Sequence, residues 1–153
     1  MGTTSYAIAL GSNRPGRHGT PEREVAAALA ELAPAAASPI LRTPPLGPSN
    51  RRYANAVAIV ETAEDPPALL RRLKAIERAF GRRAGRRWGA RVIDLDILLW
   101  SGGAWSGPGL TVPHPQFRVR GFVLDPLARV APGWRDPLTG LSVRQLRARL
   151  RAR

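Results

Sequence analysis

Two aspartates separated by one residue lie in the most strongly apolar stretch of the sequence, 92–100. The alternation of acidic and apolar residues there is typical of a β-strand, in which residues two apart share a face of the sheet. Asp94 and Asp96 would then lie side by side and repel each other unless a cation binds between them. Because Mg²⁺ prefers oxygen ligands and completes its coordination with water and phosphate, this pair is a candidate magnesium site. The alternative is that both carboxylates belong to a solvated strand face.

A glycine- and arginine-rich segment, 81–91, precedes this strand. Arginine beside metal-binding carboxylates is typical of a site for phosphates, because Mg²⁺ bridges phosphate oxygens while guanidinium groups stabilise the charge that develops during transfer. The glycines would also let the segment move, as a closing loop must. For any single arginine, a solvated basic loop is the alternative. The arginines of the segment are Arg82, Arg83, Arg86, Arg87 and Arg91.

The proline-rich stretch 42–48 is predicted to be a stiff loop, and Tyr53 and Asn55 follow it. Fixed backbone N–H and C=O groups, together with the Asn55 amide, could read the edge of a flat heterocycle, and Tyr53 could stack on its face. The alternative is a simple turn in which Asn55 pairs with the backbone.

Further along, His114 stands between two prolines, with Arg118, Arg120 and Phe122 close behind. An imidazole in such a rigid segment could donate a hydrogen bond to a phosphate, although a lone histidine is commonly structural. The sequence has no Walker A motif, no dinucleotide-binding glycine motif and no kinase catalytic-loop motif. Any ATP site must therefore be of another kind.

The chain has 153 residues and no cysteine, which predicts one domain without disulfides or thiolate metal sites. Its net charge of +13 would suit a polyanionic partner, but an arginine-rich composition with abundant Ala, Gly and Pro also explains it. No apolar run reaches the roughly 20 residues of a membrane helix, and the first ten residues lack a signal-peptide pattern. We therefore expect a cytoplasmic protein.

The elements that must position these residues alternate between strands and helices. Strands are predicted over 5–10, 36–43, 53–62 and 92–100, and Pro39 would confine the second of them to a sheet edge or a bulge. Helices are predicted over 21–32 after Thr20, from Asp65 to about Phe80, over 121–130 and over 142–149. This order predicts an α+β fold, a ferredoxin-like antiparallel sheet with helices packed on one face, in a single domain spanning 1–153. The last residues, about 150–153, are expected to fray.

Together, these segments resemble the 6-hydroxymethyl-7,8-dihydropterin pyrophosphokinase family of folate biosynthesis. The resemblance follows the chain in order from position 9 to about position 132. Its most specific parts are RWG at 87–89 and RVIDLDIL at 91–98, although Ala90 stands where the family usually has proline. The other matching pieces are ALGSN at 9–13, RTPPLGP at 42–48, YANAV at 53–57, VPHP at 112–115, RGFVL at 120–124 and PL at 126–127.

The resemblance implies a monomeric, ferredoxin-like enzyme that transfers pyrophosphate from ATP to the hydroxymethyl group of a reduced pterin and releases AMP. It implies that Asp94 and Asp96 bind two Mg²⁺ ions and that Arg82 and Arg91 are catalytic. The implied pterin site consists of Thr43, Pro44, Leu46, Tyr53, Asn55 and Phe122. The implied ATP site consists of Glu77, Arg82, Trp88, Arg91, His114 and Arg120. No nucleic acid or membrane partner is expected.

Two other functions match parts of the sequence. An RNA-binding domain of similar fold would suit the positive charge, but it needs aromatic residues on its central strands, where this chain has Asp94 and Asp96. A pterin-binding protein without catalysis would not need the aspartate pair and the arginines. The sequence offers no compelling general base for the transfer.

Overall fold

A computed structural model describes residues 2–43, 53–81 and 92–152 of the chain. The strands are β1 (Thr4–Ser12), β2 (Ala36–Ala37), β3 (Leu41–Thr43), β4 (Tyr53–Thr62), β5 (Asp94–Trp100), β6 (Trp105–Gly107) and β7 (Leu110–Val112). The helices are α1 (Pro21–Leu32), α2 (Pro66–Ala79), α3 (Gly121–Val130) and α4 (Val143–Arg151), with a 3₁₀ turn at Phe117–Val119. In the described part of the chain, no helix is long and apolar enough to cross a lipid bilayer.

Polar caps set the starts of three helices. The Thr20 hydroxyl accepts a hydrogen bond from Arg23 N, at the third residue of α1 (3.3 Å), and the Asp65 carboxylate accepts one from Ala68 N, at the third residue of α2 (3.0 Å). Ser142 and Gln145 form a capping box at the start of α4. Each cap satisfies a backbone N–H that the first turn leaves unpaired. Thr20 and Asp65 are each followed by a proline, which is compatible with the first position of a helix. The predicted starts of these helices are therefore confirmed.

The central sheet has the order β2–β4–β1–β5, with β3 also pairing with β4 and with every pair antiparallel. If β2 and β3 are counted as one strand, this is the predicted ferredoxin-like order. The strand predicted over 36–43 lies at an edge of the sheet, as Pro39 indicates, but residues 38–40 divide it into β2 and β3. The Ser38 hydroxyl accepts a hydrogen bond from Val57 N (2.9 Å) in place of a backbone carbonyl, and Pro39 has no N–H to donate.

Helices cover both faces of the sheet. On the first face, α1 and α2 pack over side chains that include Tyr6, Ile8 and Leu95. On the second face, α3 and α4 pack over a separate apolar cluster. The prediction that the helices share one face is therefore wrong for α3 and α4, because an apolar period does not say which face a helix covers. The second cluster consists of Ala7, Val57, Leu98, Leu99, Phe117, Val123, Leu124, Leu127, Val143 and Leu146.

Strand β5 contains a β-bulge at Leu98. The antiparallel pairing with β1 skips this residue, so it has no partner in β1. An extra residue in one strand reverses the alternation of faces beyond it. Asp94, Asp96 and Leu98 consequently share the second face before the bulge, and Leu99 joins that face after it.

Two features near the end of the chain extend the prediction. The hairpin of β6 and β7 follows the turn at Gly103 and was not predicted. Its Trp105 packs edge-on against Trp100, with ring centroids 6.2 Å apart, which ties the hairpin to the sheet. Helix α4 continues to Arg151, two residues beyond its predicted end.

Candidate active site

A cavity of about 480 Å³ opens on the second face of the sheet, where β1 ends and β4 and β5 begin. On this face, the end of β1 contributes the small residues Ala9 and Gly11, which leaves the space open. Its Gly11 pairs with Asn55 on one side and with Asp94 on the other, and Ala9 pairs with Asp96. The lining consists of Ala9, Leu10, Gly11, Ser12, Asn13, Thr43, Tyr53, Asn55, Ala56, Asp94, Asp96, Leu98, His114, Phe117, Arg120, Phe122 and Val123.

Asp94 and Asp96 are half-buried, and both line the cavity. Leu95 between them belongs to the core of the first face, so the two carboxyl groups share the second face as the alternation predicts. Two carboxylates open to a cavity fit Mg²⁺, which takes its remaining ligands from water and phosphate. Within residues 2–43, 53–81 and 92–152, no three His, Asp or Glu side chains cluster into a site built by protein alone.

Glu77 lies behind the aspartate pair rather than in the lining of the cavity. Its side chain is 1% exposed, and its Oε2 accepts a hydrogen bond from Leu95 N (2.8 Å). Its Oε1 also lies 3.4 Å from Lys74 Nζ. One edge of β5 pairs with β1, and no strand in the described part of the chain pairs with its other edge. The Leu95 N–H points to that other edge, and the Glu77 carboxylate accepts its hydrogen bond. The assignment of Glu77 to the ATP site stays a prediction, and the structure gives it a contact with the strand.

Asn55 and Thr43 form one corner of the cavity. Asn55 Nδ2 donates a hydrogen bond to Thr43 Oγ1 (2.9 Å), so within the described residues the side-chain amide binds a side-chain hydroxyl. Tyr53 pairs with Thr43 across β3 and β4, which brings its ring to the same corner. This corner therefore combines an amide, a hydroxyl and an aromatic ring, the groups that a flat polar heterocycle needs.

His114 is fixed beside β5 by its backbone N–H, which donates to Leu98 O (2.9 Å). Its Nδ1 accepts a hydrogen bond from Gln116 N (3.0 Å). Burial lowers the pKa of His114, and nearby Arg120 lowers it further against the opposing effect of Asp94, so the ring is neutral at neutral pH. A neutral ring whose Nδ1 accepts carries its proton on Nε2. His114 therefore offers one N–H donor.

Arg120 and Phe122 reach the cavity from the start of α3. The guanidinium carbon of Arg120 lies 5.7 Å from the centre of the Phe122 ring, within the range of a cation–π contact. One cation and one aromatic ring therefore come from a single short segment at the start of α3, whereas Tyr53 comes from β4.

Of the residues that the resemblance implies, eight line the cavity: Thr43, Tyr53, Asn55, Asp94, Asp96, His114, Arg120 and Phe122. Five others lie outside the described residues: Pro44, Leu46, Arg82, Trp88 and Arg91. Sequence reasoning did not identify Ala9, Gly11, Phe117 and Val123 as lining residues. A glycine inside a strand is a signal for a close approach, and it was available at Gly11. Phe117 and Val123 carry no signal beyond being apolar.

Comparison with known proteins decides the family. The model of the family 7,8-dihydro-6-hydroxymethylpterin-pyrophosphokinase (HPPK) matches residues 7–132. The chain belongs to this family. A Pseudomonas aeruginosa 2-amino-4-hydroxy-6-hydroxymethyldihydropteridine pyrophosphokinase is 42% identical over 137 residues, which cover 85% of this chain and 82% of the relative. A Synechocystis protein of the same name is 41% identical over 105 residues, which cover 69% of this chain and 54% of the relative. The chain thus spans about half the length of the Synechocystis relative.

Solved structures show the same fold. A Plasmodium falciparum HPPK-DHPS structure matches 96% of this chain with a TM-score of 0.76 and 14% identity, over 45% of its own length. An HPPK-DHPS structure in complex with substrates matches 97% of this chain with a TM-score of 0.74 and 13% identity, over 43% of its own length. The predicted α+β fold is confirmed.

Proposed function

We propose that this chain transfers pyrophosphate from ATP to the hydroxymethyl group of 6-hydroxymethyl-7,8-dihydropterin and releases AMP, a step in folate biosynthesis. The observation that carries the proposal is one cavity in which the Asp94 and Asp96 carboxyl groups and His114 lie together with the Asn55 corner. The first set suits phosphates with a divalent cation, and the second suits a flat polar ring. The names of the relatives support the same reaction.

At the acceptor end, the pterin would lie against the rings of Tyr53 and Phe122, which come from β4 and α3. Aromatic rings on separate elements can hold a flat heterocycle by stacking. The polar edge of the ring would bind the Asn55 amide beside Thr43. The hydrogen bond between these two side chains holds the amide in one orientation before the ligand arrives, which lowers the cost of ordering it. Backbone groups near Pro44 and Leu46 complete this subsite in our proposal.

At the nucleotide end, Asp94 and Asp96 would hold Mg²⁺ together with the phosphates of ATP, and we propose two ions. When bound, Mg²⁺ neutralises phosphate charge and orients the reacting groups. Arg120 supplies a permanent positive charge in the same cavity. His114 donates its Nε2–H to a phosphate oxygen as a neutral group, so it adds a hydrogen bond without competing with the cations.

Four further residues complete the nucleotide end in our proposal. Arg82 and Arg91 are proposed to be catalytic, because guanidinium groups beside the phosphates stabilise the charge that grows as the bond to AMP breaks. Glu77 and Trp88 are proposed to contribute to ATP binding. The support for these assignments is the match of the sequence to the family over 7–132.

In the reaction, the pterin hydroxyl oxygen forms a bond to the β-phosphorus of ATP. The bond from that phosphorus to the oxygen bridging the α- and β-phosphates breaks, so AMP leaves and the hydroxyl proton is released. The chain's own contribution is to bind both substrates in one cavity with oxygen and phosphorus aligned, which removes the entropic cost of bringing them together. We propose no general base. We also propose that residues 1–153 act as one monomeric domain.

The test is to incubate the purified chain with ATP, Mg²⁺ and 6-hydroxymethyl-7,8-dihydropterin and to separate the nucleotides. We expect AMP to form in equal amount to the pterin pyrophosphate, with no ADP. A control without the pterin should give no AMP above the background. Formation of ADP, or AMP release that does not depend on the pterin, would contradict the proposed reaction.

A further inference from the structure

Asp136 is a fully buried carboxylate that the proposed reaction does not use. It lies in the connection between α3 and α4, and its own loop surrounds it. Its Oδ1 accepts from Leu138 N (3.1 Å) and its Oδ2 accepts from the Thr139 hydroxyl (2.7 Å). The backbone of Asp136 makes two further hydrogen bonds: its N–H donates to Leu141 O, and its carbonyl accepts from Gly140 N (both 2.8 Å). This carboxylate therefore has one fixed position.

Both carboxylate oxygens of Asp136 also accept hydrogen bonds from Arg118, 18 positions earlier in the chain. Arg118 Nε donates to Oδ2 (2.5 Å) and Nη2 donates to Oδ1 (2.8 Å), which is a two-pronged, charge-assisted pair. The Arg118 guanidinium also lies 4.8 Å from the centre of the Phe117 ring. Phe117 is fully buried and lines the cavity. The ion pair thus joins the remote loop to the wall of the cavity.

The segment that Arg118 belongs to is short, and apart from the ion pair it is held by buried Phe117 and by two hydrogen bonds of the turn, Phe117 N to His114 O (3.3 Å) and Val119 N to Gln116 O (3.2 Å). It consists of a three-residue 3₁₀ turn, Phe117–Val119, followed at once by α3. Arg120 precedes the first residue of that helix and makes no side-chain capping hydrogen bond. Arg120 and Phe122 follow Arg118 directly in this segment, and both line the cavity.

We propose that Asp136 is a positioning residue, which acts through Arg118 to fix the turn that presents Arg120 and Phe122 to the substrates. The inference rests on the proposed function for what those two residues bind. Asp136 lies beyond residue 132, where the match to the family ends, and no described residue after Val123 lines the cavity. The C-terminal part of this chain would thereby contribute to catalysis without lining the cavity.

The charge of Asp136 makes the pair strong enough for this role. Burial raises the pKa of Asp136, but the hydrogen bonds from Arg118, Thr139 and Leu138 N outweigh that effect and hold the pKa at about 2. The carboxylate is therefore ionised at every pH at which the enzyme would work. A two-pronged pair also restricts the direction of the arginine as well as its distance, which a single contact would not do.

The test is a double-mutant cycle with Asp136→Asn, Arg118→Gln and the double variant, assayed for AMP formation well below each melting temperature. We expect each single variant to lose roughly 10- to 100-fold in kcat/KM for the pterin, as a displacement of about 1 Å can cause. The double variant should lose no more than the worse single variant, because all three lack the same pair. Arg147→Gln is the matched control, since it removes the Arg147–Asp125 pair (2.8 Å), which also joins the C-terminal region to α3.

Amide hydrogen exchange gives a readout that does not depend on the substrates. Val123 N and Leu124 N both donate to Arg120 O (3.0 and 2.9 Å), so a loosened turn should exchange these amides faster in Asp136→Asn and not in Arg147→Gln. Faster exchange in a chain that forms no AMP would support the positioning role and overturn the proposed function. A kcat/KM within twofold of wild type in folded Asp136→Asn, or an equal loss in Arg147→Gln, would overturn the positioning role. If Asp136→Asn does not fold, Arg118→Lys, which keeps the charge but not the two-pronged geometry, decides by the same criteria.

Discussion

Replacing Glu77 tests how the aspartate pair is held in place. The Glu77 side chain is 1% exposed and accepts the Leu95 N–H (2.8 Å) between Asp94 and Asp96. Glu77→Ala leaves this backbone N–H without its acceptor, at a cost of about 1–3 kcal/mol, and removing the buried methylenes adds about 1 kcal/mol. We expect a total loss of about 2–4 kcal/mol in the free energy of unfolding.

Glu77→Gln is the matched variant, because it has the same shape and keeps an oxygen that can accept from Leu95 N. It loses the negative charge of Glu77, including the contact of that charge with half-exposed Lys74 (3.4 Å). Urea denaturation followed by far-UV circular dichroism measures both variants on one scale. Equal destabilisation by both substitutions would refute the reasoning, since it would mean that the charge, and not the acceptor, stabilises the strand. A weaker affinity for ATP in a fully stable Glu77→Gln would instead support the predicted role of Glu77 in the nucleotide site.

Two further predictions concern Gly11, where β1 lines the cavity, and the response of Asp136 to acid. A Cβ at Gly11 would lie 3.2 Å from Asn55 Oδ1, so Gly11→Ala should raise KM for the pterin by roughly 3- to 10-fold and leave KM for ATP unchanged; steady-state kinetics that show equal changes in both would count against this site assignment. Asp136 has a pKa of about 2 in the folded chain against an ordinary 3.8, so its stabilisation is complete above about pH 4 and is lost as the pH falls through 2. Wild type should therefore lose about 2 kcal/mol more than Asp136→Asn in urea denaturation between pH 5 and pH 2, and parallel losses would contradict the lowered pKa.

Local signals predicted the elements well. Thr20 and Asp65 each stand before a proline and an amphipathic run, and both helices begin where these residues indicate. The predicted strand over 53–62 matches β4, whose pairing with β1 runs without a register shift. The pairing of Asp94 and Asp96 on one face also follows from two-residue periodicity alone. These features depend on residues within a few positions of one another.

Features that depend on distant parts of the chain could not be predicted in the same way. The break at Ser38 requires Val57 N as its partner, and the bulge at Leu98 exists only relative to the register of β1. The face that α3 covers is decided by tertiary packing and not by its own sequence. Asp136 reads as an ordinary loop residue until Arg118 is seen beside it. In each case the partner that determines the structure is 18 or more residues away or in another element.

The most direct test of the proposed site is AMP formation by Asp94→Asn and Asp96→Asn in a titration with Mg²⁺. Each substitution keeps the shape of the side chain and removes one carboxylate that would hold the cation, which contributes several kcal/mol of charge stabilisation. We predict that each variant binds the pterin but forms AMP at least about 100-fold more slowly than wild type. Asp125→Asn, an aspartate outside the cavity, should keep wild-type turnover. Near-normal turnover by either Asp94→Asn or Asp96→Asn at the same Mg²⁺ concentration would contradict the site.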